Sequence, residues 1–129
     1  MVRLLATGAA ATSRLSEVEI VSALARRARA GDVAPADAQR AVAALSGDLS
    51  ALHIVELLPE VTVQARALLQ RHPLRAADAI QLASCCYLVE QLGEPVPFVA
   101  FDDRLRAAAR AERLRVLPLR LSRAGSARA

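Results

Sequence analysis

A chain of 129 residues and 13.7 kDa is enough for one domain with a single modest core and too short for two. Its 17 basic residues are all arginine and face 13 acids, for a net charge of +4 with 54% apolar and 2% aromatic residues, a balance too apolar for a disordered chain. The charge is uneven: residues 1–102 hold nine Arg and eleven acids, a net of -2, and residues 103–129 hold eight Arg and two acids, a net of +6. Such a basic end is an electrostatic footprint for nucleic acid or an acidic partner, or else a solvated tail. Residues 79–89, the longest nearly uncharged apolar run, are interrupted by Gln81 and Ser84 and are too short to span a bilayer. No long apolar block accompanies Arg3 and Arg14, so no secretory signal is expected. The adjacent Cys85 and Cys86 can neither staple distant segments nor complete a four-ligand zinc site. A reducing cytoplasm is the expected compartment, with both thiols as small core residues on a helix.

In chain order the sequence alternates short β-prone runs with helical periodicity, which predicts an α/β domain. A weak strand is expected over 8–13. A helix over 16–30, ended by Gly31, carries Ile20, Val21, Leu24 and Ala28 on one side. Pro35 opens a second helix to about Ser46, with Ala38, Val42 and Leu45 as its apolar face and Gly47 as its stop. A strand over 52–57, a helix over 59–70 and the longest helix, over 75–92, follow, the last closed by Gly93 and Pro95. Strands over 97–101 and 115–119 flank a helix over 102–111. Residues 1–121 thus form the domain, and residues 122–129 are expected as a disordered Arg, Ala and Ser tail.

There is no internal repeat, no glycine-rich phosphate loop, no nucleophile elbow and no Cys-His pair at catalytic spacing. What remains are acids at the starts of helices. Each has an ordinary reading: Ser16 and Glu19 as a capping box, Asp102 as an N-cap, Asp78 as a complement to a helix dipole. Asp78 fits its role least well. At about 100° per residue it shares a stripe with Leu82, Cys85 and Val89, the middle of the apolar face, while Gln81, Ser84 and Gln91 mark the wet side. A carboxylate facing inward requires an Arg or a bound cation, and hard oxygen ligands suit Mg²⁺ or Mn²⁺. In an open parallel sheet the residues at the carboxyl ends of strands converge on one edge, which brings Asp102 and the Glu17/Glu19 pair toward one place with Asp78 beside them. Three carboxylates with arginines near them suit metal-assisted phosphodiester hydrolysis.

Three segments carry a resemblance in order and spacing: Thr12-Ser13-Arg14-Leu15-Ser16-Glu17-Val18-Glu19, Leu74-Arg75-Ala76-Ala77-Asp78-Ala79-Ile80-Gln81-Leu82-Ala83, and Phe98-Val99-Ala100-Phe101-Asp102-Asp103-Arg104-Leu105 followed by Ala108-Ala109. Together they resemble the PIN-domain ribonucleases, and among these the VapC type, the toxins of type II toxin-antitoxin systems, over about residues 12–117. The resemblance implies a three-layer α/β/α domain with a short parallel sheet. It implies Glu19, Asp78 and Asp102 as catalytic and metal-binding acids for Mg²⁺ or Mn²⁺, with Glu17 and Asp103 as neighbouring alternates. The preference for Glu19 over Glu17 rests on the family's Ser-to-Glu spacing. Implied partners are an RNA substrate, a cognate antitoxin that covers the acidic pocket, and a second copy of the chain; no membrane is involved.

The pattern also departs from the family. PIN domains begin with a central strand ending in Asp, usually within Asp-x-Ser or Asp-x-Thr, and here no acid precedes Glu17. Residues 1–6 lie too close to Gly8 for the crossover that a parallel neighbour needs. The domain is therefore expected to lack its first, central strand and one ligand, and an upstream in-frame strand ending in Asp is the expected source of both. Arg14, Arg75 and Arg104 adjoin the acids and are placed either on RNA phosphates or in salt bridges. His53 and His72 are expected as core or surface residues, and Tyr87, Phe98 and Phe101 as core rather than as base-stacking platforms. Two further readings stay open: an inactive truncated PIN module that binds an antitoxin or RNA without cleaving, and a structural α/β protein whose acids are helix caps.

Overall fold

The computed structural model describes residues 10–120. The expected tail, residues 1–6 and the start of the first expected strand lie outside them. In chain order the elements are β1 (Ala11–Ser13), α1 (Ser16–Arg29), α2 (Pro35–Ser50), β2 (His53–Val55), α3 (Pro59–Arg71), α4 (Ala76–Leu92), β3 (Phe98–Val99), α5 (Asp103–Ala111) and β4 (Val116–Leu117). This is the expected α/β alternation, with shorter strands.

The strands form two parallel pairs. β1 pairs with β2 in the register Thr12↔Ile54, and β3 with β4 in the register Phe98↔Val116. Among the described residues no strand joins the two pairs. Among the described residues a groove of about 460 Å³ lies between β1 and β3.

The core forms around α4. Ala79, Leu82 and Ala83 on α4 are fully buried, as are Val61 and Leu68 on α3, and each buried Leu or Val contributes on the order of 1.5–3 kcal/mol. Cys85, Cys86 and Tyr87 are half-buried against the same core. Burial raises the thiol pKa of Cys85 to about 12 and that of Cys86 to about 11, so both are inert packing residues, as expected. Pro35 and Pro59 stand in the first turns of α2 and α3, where a fixed φ and a missing N–H are tolerated. Gly93 ends α4 at φ 67° and donates its N–H to Val89, a left-handed conformation that favours glycine.

Several expectations are corrected. α2 runs through Gly47 to Ser50; one exposed glycine costs a helix only about 1 kcal/mol, and the Ser50 hydroxyl donates to the Gly47 carbonyl. β4 stops at Leu117 because Pro118 has no N–H to donate. The face of α1 expected to be apolar and packed is not buried: Ile20 and Val21 are exposed, because α1 packs mainly on α2 at the edge of the domain. Ser84, placed on the wet side of α4, is buried at 3% exposure and donates to the Ile80 carbonyl at 2.7 Å. Phe98 joins the core, whereas Phe101 is 71% exposed. Alternation along the strand turns Phe101 to the face opposite Phe98, and no described element covers that face.

Candidate active site

α1, the first turn of α4 and the segment after β3 meet around a pocket of about 980 Å³ whose lining includes Glu19, Asp78 and Asp102 together with Arg26, Arg75 and Arg104. The local sequence explains each placement. Asp102 follows β3 in extended conformation, and its Oδ2 accepts the Leu105 N–H at 2.9 Å, the N-cap expected from sequence. One oxygen of Asp102 is thereby held by the start of α5, and the residue lines the pocket. Asp78 stands in the first turn of α4 and is half-buried. Its pKa is raised above the ordinary carboxylate value, first by burial, then by the negative charges of Asp102 and Glu19, with Arg75 opposing. The three acids therefore repel one another across one pocket, the arrangement a cation relieves.

The capping box expected at Ser16 and Glu19 is not formed: no side chain caps α1. Instead the Thr12 and Ser16 hydroxyls are hydrogen-bonded at 2.6 Å, and the Gln81 amide on α4 donates to Ser16 Oγ at 3.0 Å and to Glu19 Oε1 at 2.6 Å. Gln81 is thus not a solvated residue but the link that turns Glu19 toward α4. It lies three positions after Asp78, one helical turn away. Arg26 was also missed, although its spacing from Glu19, seven positions along α1, places both on one helical stripe.

The remaining acids and arginines separate clearly. Glu17 turns to Arg14 at 3.4 Å and Asp103 pairs with Arg120, and neither lines the pocket. Arg14 is held by Glu56 in a two-pronged pair at 2.8 and 2.6 Å, one of the two placements expected for it. Arg75 and Arg104 are exposed and, among the described residues, in no ion pair. Among the described residues the one fully buried charged side chain, Arg106, lies outside the expected set. It donates to the Ala100 and Pro118 carbonyls, both at 2.7 Å, tying the segment after β3 to the segment after β4. His72 bonds Glu112 at 2.7 Å and is structural.

As a cation site, the donor set is chemically apt, since all three acids supply hard oxygens. Among the described residues no three His, Cys, Asp or Glu side chains are close enough together to hold one ion. Mg²⁺ does not require three, because it commonly takes one or two carboxylates and completes its shell with water and phosphate oxygens.

A parallel α/β scaffold with acids gathered at its strand ends is the architecture of a PIN domain, and the PIN-domain model matches residues 1–111. The chain belongs to the PIN-domain family and within it to the VapC type. It is similar to Ribonuclease VapC45 of Mycobacterium tuberculosis (strain CDC 1551 / Oshkosh), at 37% identity over 114 residues, 88% of this chain and 76% of the relative. It is equally similar to Ribonuclease VapC49 of Mycobacterium tuberculosis (strain ATCC 25618 / H37Rv), at 37% identity over the same shares.

Proposed function

We propose that the chain is a VapC-type endoribonuclease that hydrolyses RNA phosphodiester bonds with Mg²⁺ or Mn²⁺ held by Asp78, Asp102 and Glu19. The observation that supports this best is the pocket in which these three acids face Arg26, Arg75 and Arg104. When bound, the ion supplies charge neutralisation at the phosphodiester and lowers the pKa of water. The protein side chains do the rest. Burial and the charges of Asp102 and Glu19 raise the Asp78 pKa, and a bound cation favours its anionic form. Gln81 orients Glu19, and the α5 N-terminus orients Asp102. The guanidinium groups of Arg75 and Arg104 hold phosphates on either side of the bond to be cleaved.

A cognate antitoxin that covers the pocket, and a second copy of the chain, complete this reading. Val18, Ile20 and Val21 on α1 and Val42 on α2 are exposed and give such partners an apolar face to cover. No helix among the described residues is long and apolar enough to cross a membrane, in keeping with action on RNA in the cytoplasm.

The test is cleavage of a fluorescent single-stranded RNA by the purified chain with Mn²⁺, with EDTA and with Asp78→Asn. Cleavage that requires Mn²⁺ and is lost in the variant is expected. RNA or antitoxin binding without cleavage would identify a binding module and overturn the proposal.

A further inference from the structure

An ion and one phosphate at Glu19, Asp78 and Asp102 leave much of the pocket unassigned. Its volume, about 980 Å³, stands at the upper end of the ~300–1,000 Å³ of small-ligand sites. Two walls enclose the remainder. Gln81 of α4 touches Ser16 and Glu19 of α1. Beyond that contact α1 runs on through Ser22 and Arg26, while the chain before Gln81 leads back through Asp78 to Arg75, Leu74 and Pro73, and all of these line the pocket. The α1 wall is a stripe. Glu19, Ser22, Arg26 and Arg29 follow one another at intervals of three and four residues, the spacing of one helical face. Acid thus gives way to hydroxyl and then to two guanidinium groups along one line. At ~1.5 Å per residue, Arg26 and Arg29 stand about 10 and 15 Å beyond Glu19.

Arg26, Arg27 and Arg29 all occupy the last turn of α1, where any cation complements the helix dipole. The dipole does not distinguish among them, but the stripe does: Arg27 is turned about 100° from Arg26 and lies off it. None of the three has an ion pair among the described residues, and residues 1–9 and 121–129 contain no Asp or Glu. Arg26 and Arg29 are exposed. Exposed guanidinium groups in line with a pocket suit successive anions on one strand. Pro73 and Leu74 give the facing wall apolar surface, which the face of a base uses and a free inorganic anion does not. We propose, on the assignment of the pocket to RNA cleavage, that the α1 stripe is a track that leads a single RNA strand away from the acids. Arg26 and Arg29 hold the next two phosphates beyond the one to be cleaved. The substrate is then single-stranded RNA that extends at least two nucleotides to that side of the bond.

The test keeps the full 129-residue chain in EDTA, so that nothing is cleaved, and follows fluorescein-labelled decauridylate by anisotropy from about 50 to 200 mM salt. Combining Arg26→Gln with Arg29→Gln is expected to flatten the slope of log affinity against log salt by about 1.4, which makes the fall across the series about sevenfold smaller than in wild type. Arg27→Gln, the same change in the same helical turn, is expected to leave the slope as it is. A wild-type slope in the double variant, equal flattening by Arg27→Gln, or no saturable binding by the wild-type chain overturns the proposal. Hexaglutamate binding that the double variant loses while its RNA binding stays intact would assign the stripe to an acidic protein segment, with the same consequence. Mn²⁺ then separates the track from the activity. A strand held through Arg26 and Arg29 but never cut upholds the track and overturns ribonuclease activity alone. Cleavage of decauridylate by the double variant at the wild-type KM overturns the track alone.

Discussion

Gln81 on α4 donates its side-chain amide to Glu19 Oε1 on α1 at 2.6 Å, across 62 positions of sequence. The same amide reaches Ser16, so one side chain fixes where α1 begins and where its carboxylate points. Partners that orient a metal-binding carboxylate typically govern affinity by about 10–100-fold. Gln81→Leu is therefore expected to weaken Mn²⁺ binding by about that factor in a calorimetric titration, with thermal unfolding little changed. Unaltered affinity would remove Gln81 and Glu19 from the metal site.

The burial of Asp78 and its repulsion by Asp102 and Glu19 have a cost in the metal-free protein. Because the Asp78 pKa is raised on folding, the native state binds more protons than the unfolded one between the two values. Stability from this group falls as pH rises from the ordinary aspartate range through the raised native value, and is flat above it. Asp78→Asn removes the penalty. For a half-exposed, solvent-screened group the gain is a few tenths of a kcal/mol, about 1–2 °C in Tm at pH 7. The gain should vanish at pH 3, where Asp78 is protonated in both states. Calorimetry at the two pH values checks this, and a lower Tm for Asp78→Asn at pH 7 would contradict the like-charge account.

Leu82 is fully buried one turn after Asp78. Leu82→Ala leaves a cavity between α4 and the α3 face, at a cost of about 2–5 kcal/mol. Urea unfolding should show a lower midpoint at unchanged slope. A loss below 1 kcal/mol would mean that α4 is not the centre of the core.

Helices and strand positions were legible because their signals are local: a proline in the first turn, a glycine at the stop, and an apolar stripe on α4. Asp78 and Asp102 were legible for the same reason, one being a carboxylate on an apolar stripe and the other an acid between strand and helix. What sequence did not reveal depends on distant partners. Gln81 reads as a wet residue until α1 is laid against α4, and Arg106 reads as one more surface arginine until the carbonyls of Ala100 and Pro118 surround it. Phe101 was misplaced because an aromatic residue after a strand is ordinarily covered. The ion pair of Arg14 could not be read either, because its partner Glu56 lies forty-two positions away.

Glu112 closes α5 against α3. Arg71 and His72 hold its carboxyl below the usual range, Arg71 being the larger cause, and its oxygens lie 2.9 and 2.7 Å from those two side chains. A depressed native pKa gives stability that is present above the unfolded-state value and is lost as pH falls through the native one. Glu112→Gln should therefore lower Tm at pH 7, and the difference from wild type should stay level down to the ordinary glutamate range and shrink below it. A difference independent of pH would show that packing alone is involved.

Arg75 and Arg104 line the pocket without an ion-pair partner among the described residues, whereas Arg14 is tied to Glu56. The two environments predict different salt behaviour. Each arginine that neutralises a phosphate of single-stranded RNA contributes about 0.7 to the slope of log affinity against log salt. Combining Arg75→Gln with Arg104→Gln should thus flatten that slope by about 1.4 and weaken binding at low salt. Arg14→Gln should leave the slope unchanged, because freeing Glu56 removes a bridge and not an RNA contact. Filter binding of a catalytically silent Asp102→Asn background across a salt series reads both at once, and an equal loss in the Arg14 variant would show that RNA follows β1 and not the pocket.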